Sequence, residues 1–161
     1  MRKMRRFKQL LDNERCKEIL NRNTSGVLAL LGDDGYPYSV PLSYHLINNQ
    51  LVFHGAKNGH KIDAMKNYDK ASFCVIDQDQ IVPEKYTTYF RSVICFGKME
   101  IIEDDTLKKE LVSKLAGKYR PDFIEERDKE IDREFRQLCV FVLNIDQMTG
   151  KEAIELVNQA K

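Results

Sequence analysis

"YPYSVPLSYHLI", residues 36–47, decides how this chain folds. Tyr36, Tyr38, Val40, Leu42, Tyr44 and Leu46 alternate with Pro37, Ser39, Pro41, Ser43 and His45. An apolar residue at every second position is the period of a strand with two unlike faces, not of a helix. The two prolines remove ladder donors, so this strand must lie at a sheet edge or carry a bulge. The stripe of tyrosines either packs in a core or stacks on a planar ring.

Reading outward, "GVLALL" (26–31) is a compact apolar run of strand length, separated from the first stretch by the turn signal "GDDG" (32–35). On the other side "NNQ" (48–50) is a second turn and "LVFHGA" (51–56) the next strand. "ASFCVID" (71–77), "TTYFRSVICFGKMEII" (87–102) and "QLCVFVLNI" (137–145) complete the set, with Gly97 as a bend or bulge. Helices are predicted at 12–23, capped by Asp12 with Cys16, Ile19 and Leu20 on one side, and near 60–68, with Ile62 and Met65 inward. A third, at 104–119, carries the stripe Leu107, Leu111 and Leu115 behind Asp104 or Asp105 and ends before Pro121. The charged stretch 122–136 reads as helical too. Hairpin-type links make the sheet mainly antiparallel. About six strands in a chain of this size predict a mainly β fold, a small barrel with flanking helices outside.

Length argues for one domain over residues 1–161, with 1–11 as a basic N-terminal tail. The balance of 26 basic and 25 acidic residues leaves a net charge of +1, which argues against nucleic acid as a partner. No apolar run approaches the roughly 18–20 residues that span a membrane. The start, "MRKMRRFKQLLDNERCKEIL", lacks the long apolar stretch of a secretory signal, and Asp12, Glu14 and Glu18 come too early for a mitochondrial presequence. Cys16, Cys74, Cys95 and Cys139 show no CxxC or zinc spacing and read as reduced thiols of a cytoplasmic protein.

The chemistry gathers in "FHGAKNGHKIDAMKN" (53–67). A helix start leaves backbone N–H groups unpaired and partly positive. Gly55 and Gly59 allow close backbone approach, and Lys57, His60 and Lys61 add charge. The pattern suits a phosphate or carboxylate, or else a polar loop that needs glycine to turn; it matches neither the Walker loop nor the GxGxxG fingerprint. Arg91 and Ser92 interrupt an apolar strand, either as a second anion contact or as a solvated or carboxylate-paired arginine. His54 closes a strand where it would face a pocket. There is no HExxH for a metal and no GxSxG nucleophile elbow.

Four segments read in order resemble the pyridoxamine 5′-phosphate oxidase-like flavoproteins, and within them the nitroimidazole-resistance (Nim-type) branch. They are "GVLALLGDDGYPYSVPLSY" (26–44), "LVFHGAKNGHKIDAMKN" (51–67), "VPEKYTTYFRSVICFGKMEII" (82–102) and "VLNIDQMTGK" (142–151). The resemblance implies a six-stranded antiparallel split β-barrel that forms a homodimer, with FMN in the cleft between subunits. It implies that Ser39, Val40, Pro41 and Leu42 lie along the flavin ring. It implies that His54, Gly55, Ala56, Lys57 and Lys61 hold the phosphate tail, joined by Arg91 and Ser92, the latter two from the partner subunit. The arginine- and lysine-rich set that holds pyridoxal phosphate in the oxidase proper has no match here.

With FMN bound, the expected activity is reduction of a small electron-poor acceptor such as a nitroaromatic, with electrons from NADH, NADPH or a reductase. His54 and Tyr44 are the candidate proton donors or substrate contacts. Two other classes stand beside this one: a non-enzymatic flavin carrier or redox sensor, and a haem-binding split barrel. Haem wants an axial histidine in an apolar pocket, whereas the cationic loop favours phosphate.

Overall fold

The structure, a computed structural model, describes residues 3–159. In chain order the elements are β1 (Leu10–Leu11), α1 (Asn13–Arg22), β2 (Ser25–Leu31), β3 (Pro37–Ser43), β4 (His45–Ile47), β5 (Gln50–Ala56) and α2 (His60–Asn67). They continue with β6 (Lys70–Val82), β7 (Thr87–Ile101), α3 (Asp105–Tyr119), α4 (Ile124–Glu134), β8 (Leu138–Glu152) and α5 (Ile154–Gln159).

One antiparallel sheet runs β3-β2-β6-β7-β8-β5-β4, with β1 paired to β8. The split-barrel fold class therefore holds, with eight strands in place of the expected six. The extra two come from the period-two stretch, which divides, and from the basic tail. Leu10 and Leu11 pair with Lys151 and Gly150, so the inner end of that tail is part of the sheet. Met1 and Arg2 lie outside the described residues.

β3 and β4, which are the two ends of the sheet, are neighbours in sequence, joined at Tyr44. The chain thus steps from one sheet edge to the other at a single residue, which forces the sheet to curl into a barrel that is not closed by a ladder. Edge position also accounts for the prolines: Pro37 and Pro41 sit in β3, which has a ladder partner only in β2. Leaving both ladders strips Tyr44 of backbone partners, and buried backbone groups must find others. α3 supplies them. The Tyr44 N–H donates to Tyr119 Oη (3.0 Å), and the Tyr44 carbonyl accepts from Lys118 Nζ (3.2 Å).

The barrel interior holds Leu28, Phe53, Phe73, Val93, Cys95 and Phe141, plugged at one side by Cys16, Ile19 and Leu20 of α1. A second core lies outside the sheet, where Val52, Val140 and Val142 meet Leu111, Val112, Leu115 and Ile131 of α3 and α4. Residues of β8 alternate between the two cores, Phe141 and Leu143 inward, Val140 and Val142 outward. Burial on both faces is why that strand reads as a continuous apolar run.

Asp12 caps α1 by accepting from the Arg15 N–H (2.8 Å), and Asp104 caps α3 through the Leu107 N–H (2.8 Å). The α3 stripe is rotated from expectation. Leu107 is exposed, and Lys108, Leu111, Val112 and Leu115 are buried. Gly97 does mark a bulge, at the register shift between β7 and β8. A Cβ there would fall 1.9 Å from the Asn144 carbonyl oxygen.

Candidate functional site

β5 ends in His54, Gly55 and Ala56, which pair with Val140, Cys139 and Leu138. The loop 57–59 then leads into α2. Gly59 has φ of 122°, a conformation L side chains rarely adopt, and no side chain caps the helix. The first in-helix donors are Ile62 and Asp63, both to the Gly59 carbonyl (2.9 and 3.2 Å). The amides that precede them face outward from the helix start, the geometry of an anion seat.

Lys61 folds back over Gly55. A Cβ on Gly55 would lie 3.0 Å from Lys61 Cε and 3.3 Å from its Nζ. Glycine at 55 thus keeps open the space that the ammonium occupies. Among the described residues Lys57 and Lys61 form no ion pair. Positive charge is thus concentrated at the start of α2 with no carboxylate paired to it among the described residues.

His60 has a different role from the one its charge suggested. Its ring stacks on Tyr38, centroids 4.0 Å apart and planes at 18°, and its Nε2 accepts from the Asp33 N–H (3.3 Å). These contacts pin the start of α2 to the β2–β3 hairpin. They bring the expected ring strand beside the expected phosphate loop. On β3, Ser39 and Pro41 are exposed, whereas Val40 and Leu42 turn toward the barrel core. Among the described residues the β3 edge that faces away from β2 has no ladder partner, which leaves its backbone groups open to a ligand.

His54 points the other way, with Val52, onto α3 and α4. It opens on a cavity of about 560 Å³ whose walls include Val112, Leu115, Ala116, Ile131 and Leu138. Crowding by the surrounding protein lowers the imidazole's proton affinity below the ordinary histidine value, and the Lys61 charge lowers it further. At neutral pH this is an uncharged imidazole at a cavity mouth.

Two expected site residues are placed elsewhere. Tyr44 is fully buried at the seam, and its hydroxyl donates to the Leu20 carbonyl (2.7 Å). Burial pushes its ionisation well above the usual tyrosine range. The hydroxyl is thus buried and bonded within the protein at the barrel seam. Arg91 donates from Nε to Glu152 (2.9 Å) and from Nη1 to Asp77 (3.3 Å). Arg15 grips the same Glu152 through both Nη atoms (2.9 and 3.1 Å), and Arg22 and Asn23 hold Asp77. Within one subunit Arg91 is thus paired to two carboxylates.

Ser92 pairs with Lys151 of β8, while Gly55 pairs with Cys139 of the same strand. Twelve residues separate those partners, roughly 40 Å of extended chain. Within one subunit Arg91 and Ser92 do not reach the 54–61 loop. What the sequence reading missed is the α3 contribution, Lys118 and Tyr119 at the seam, because neither residue belongs to a recognisable motif.

No grouping of three or more His, Cys, Asp or Glu side chains suits a metal among the described residues. All four cysteines are free thiols. Among the described residues no helix is long and apolar enough to cross a membrane.

Comparison with known proteins agrees with this architecture. A putative 5-nitroimidazole antibiotic resistance protein from Bacteroides thetaiotaomicron is 25% identical with a TM-score of 0.75, covering 89% of this chain and 86% of that one. A FAD-binding protein from Mesorhizobium loti is 25% identical with a TM-score of 0.67, covering 90% and 97%. A FAD and haem binding protein from Mycobacterium smegmatis, at 23% identity and a TM-score of 0.75 over 91% and 73%, shares the fold. No curated protein matches the chain. The sequence model of the pyridoxamine 5′-phosphate oxidase family matches residues 12–152. With most of its length under that match and the barrel built as described, the chain belongs to the pyridoxamine 5′-phosphate oxidase family.

Proposed function

We propose that the chain is a flavoprotein that seats the phosphate of FMN at the start of α2 and uses the flavin to reduce a small electron-poor acceptor such as a nitroaromatic. One observation carries the reading: Lys61 lies over Gly55 beside the open amides of α2, with Lys57 adjacent and neither lysine ion-paired among the described residues. A dianionic phosphate would meet two ammonium groups and a helix start there. The free edge of β3, held next to that seat by the Tyr38–His60 stack, is placed to meet the ring. The names of the Bacteroides and Mesorhizobium relatives support a flavin and a nitro-compound acceptor.

The flavin would supply hydride chemistry with electrons from NADH, NADPH or a reductase, and the chain would supply position and charge. His54 would offer a proton-handling group at the neighbouring cavity. We infer a homodimer as well. Ile76, Ile81 and Tyr86 of the β6–β7 hairpin are 64%, 73% and 98% exposed, an apolar surface suited to a second copy. Only a second copy would carry Arg91 and Ser92 to the site. Light scattering tests this, and a monomer would remove both residues from it.

The absorbance spectrum of the purified protein, followed by release of any chromophore, tests the main reading. Flavin bands with FMN released are expected. A Soret band would favour the second reading, haem against His54 in the apolar cavity, which the neutral imidazole at that mouth supports. If neither chromophore is carried and added flavin is not taken up, the flavin reading fails. Turnover with NADH then separates an enzyme from a carrier.

A further inference from the structure

Beyond the phosphate seat, the cationic loop has a second side. Lys57 and Lys66 project over a pocket of about 310 Å³ that also has Lys108, Glu103 and Asp105 on its walls. Its apolar surface comes from Ile62, Ile101, Ile102 and Leu138, with Cys139 among the lining residues. Lys108 is buried and fixed: its Nζ donates to the Phe135 carbonyl (2.7 Å) and sits 4.1 Å above the Phe135 ring. Lys57 and Lys66 are exposed and free of ion pairs among the described residues.

Charge converges on this pocket. Burial pushes the Cys139 thiol up, and four ammonium groups, those of Lys108, Lys57, Lys66 and Lys61, oppose it. One buried atom thus lies within electrostatic reach of four lysines from α2, its loop and α3. Lysines alone would describe any anion site. The remaining walls narrow the class. Two carboxylates beside a phosphate-binding cluster repel a bare polyanion, but they accept hydrogen bonds from a ribose diol. An isoleucine wall suits the face of a purine better than it suits water.

We propose that this pocket binds an adenosine phosphate: phosphate on Lys57 and Lys66 with the buried Lys108 charge behind them, ribose hydroxyls on Glu103 and Asp105, and the base against the apolar wall at Ile101 and Leu138. Lys57 is common to this pocket and the flavin phosphate seat. The adenylate therefore belongs to a dinucleotide that reaches both, or to one that docks beside the flavin. The two sources are FAD, with its second half in the pocket, and a nicotinamide dinucleotide bound as electron donor. The placement beside a flavin rests on the preceding reading, whereas the pocket's own chemistry does not.

The test compares the wild type with Lys66→Glu, a change at an exposed helix position outside the flavin seat. AMP is titrated calorimetrically into the FMN-loaded protein, and FMN and FAD are titrated separately into the flavin-free protein. AMP binding is expected, weakened about tenfold or more by Lys66→Glu because a charge-assisted contact becomes a repulsion. FMN affinity is expected to hold. If FAD binds more tightly than FMN and Lys66→Glu erases the difference, the adenylate is the flavin's own. If FAD and FMN bind alike while AMP shows the Lys66 dependence, it is the donor's. Absence of AMP binding, or AMP binding indifferent to Lys66→Glu, overturns the proposal. Should neither flavin bind, the flavin reading falls, and AMP titrated into the flavin-free protein still decides the pocket. Glu103→Gln adds a second check: it should weaken AMP and leave inorganic phosphate unaffected or slightly improved.

Discussion

The hydroxyl of Tyr119 accepts a hydrogen bond from the Tyr44 N–H at 3.0 Å and donates to the Thr24 carbonyl at 2.6 Å. Tyr44 is where the chain leaves one sheet edge and joins the other, so a helix side chain replaces the ladder at the barrel's open seam. Lys118 assists from the preceding position, with Nζ on the carbonyls of Asn23 (2.6 Å) and Tyr44 (3.2 Å).

Tyr119→Phe keeps the ring and removes both bonds. The Tyr44 N–H and Thr24 carbonyl then lose their partner at a half-open site. We expect a loss of about 1–2 kcal/mol, seen as a drop of a few degrees in the melting temperature. An unchanged melting curve would mean that water replaces the hydroxyl without penalty and that the seam is held by Lys118 alone.

The seam also shows what the sequence could reveal. The alternation from Tyr36 to Leu46 was legible, and both halves of it are strands. Its interruption was not, because the period of two continues through Tyr44 while the pairing partner changes from β2 to β5. Likewise, β6 extends through Gln78–Val82, beyond its predicted end at Asp77, to pair with Thr87–Arg91 of β7, which the predicted strand 87–102 already included. That arm of β6 is mostly exposed, so no apolar pattern marks it. Leu10 and Leu11 form a strand only because β8 lies beside them, and two residues carry no period. In the site, the glycine and lysine types of 54–61 made the proposed anion seat legible from sequence. The carboxylate pairing of Arg91 was not legible, since Glu152 is remote in sequence and nothing local marks it as a partner.

Gly55 tests the phosphate seat directly. Gly55→Ala would place a methyl 3.0 Å from Lys61 Cε, the flexible end of a side chain that can swing away. The fold should survive, and the ammonium should leave its position. We expect FMN affinity to fall about tenfold, as for loss of one charge-assisted contact, with melting temperature in the absence of flavin nearly unchanged. Lys61→Met should give the same loss, and the double variant should add little to either single one. Independent, additive losses would show that Gly55 acts through something other than Lys61.

Asp77 links folding to acid. Its burial would raise the carboxyl's proton affinity, but hydrogen bonds from Arg22, Asn23 and Arg91 and the charge of Arg22 outweigh that and hold it below the usual value. A depressed folded-state value means the unfolded chain takes up the proton first. The stability from this carboxylate is therefore complete above the unfolded value near 4 and is lost as pH falls through the lower folded one. Asp77→Asn should cost about 3 kcal/mol at pH 7, because three cations converge on Asp77 and Glu152 and lose one of their two carboxylates. Urea melts at pH 7 and pH 3 check this. The gap between wild type and variant should narrow at pH 3, and a constant gap would assign the loss to packing.

His54 gives the sharpest pH test of the proposed chemistry. Crowding by the protein is the larger cause of its lowered proton affinity, and the Lys61 charge is the second. If the imidazolium delivers a proton to a reduced acceptor in the cavity, turnover of the flavin-loaded protein should rise as pH falls, with a midpoint below the ordinary histidine value near 6.5. His54→Gln should flatten that limb and still retain flavin, because the phosphate seat is built from Gly55, Lys57 and Lys61. Lys61→Met should move the midpoint upward, since one of the two causes is removed, and the variant can be held saturated with flavin to separate this from weaker binding. A limb that survives His54→Gln with its midpoint unmoved would take His54 out of the chemistry and leave it as a wall of the cavity.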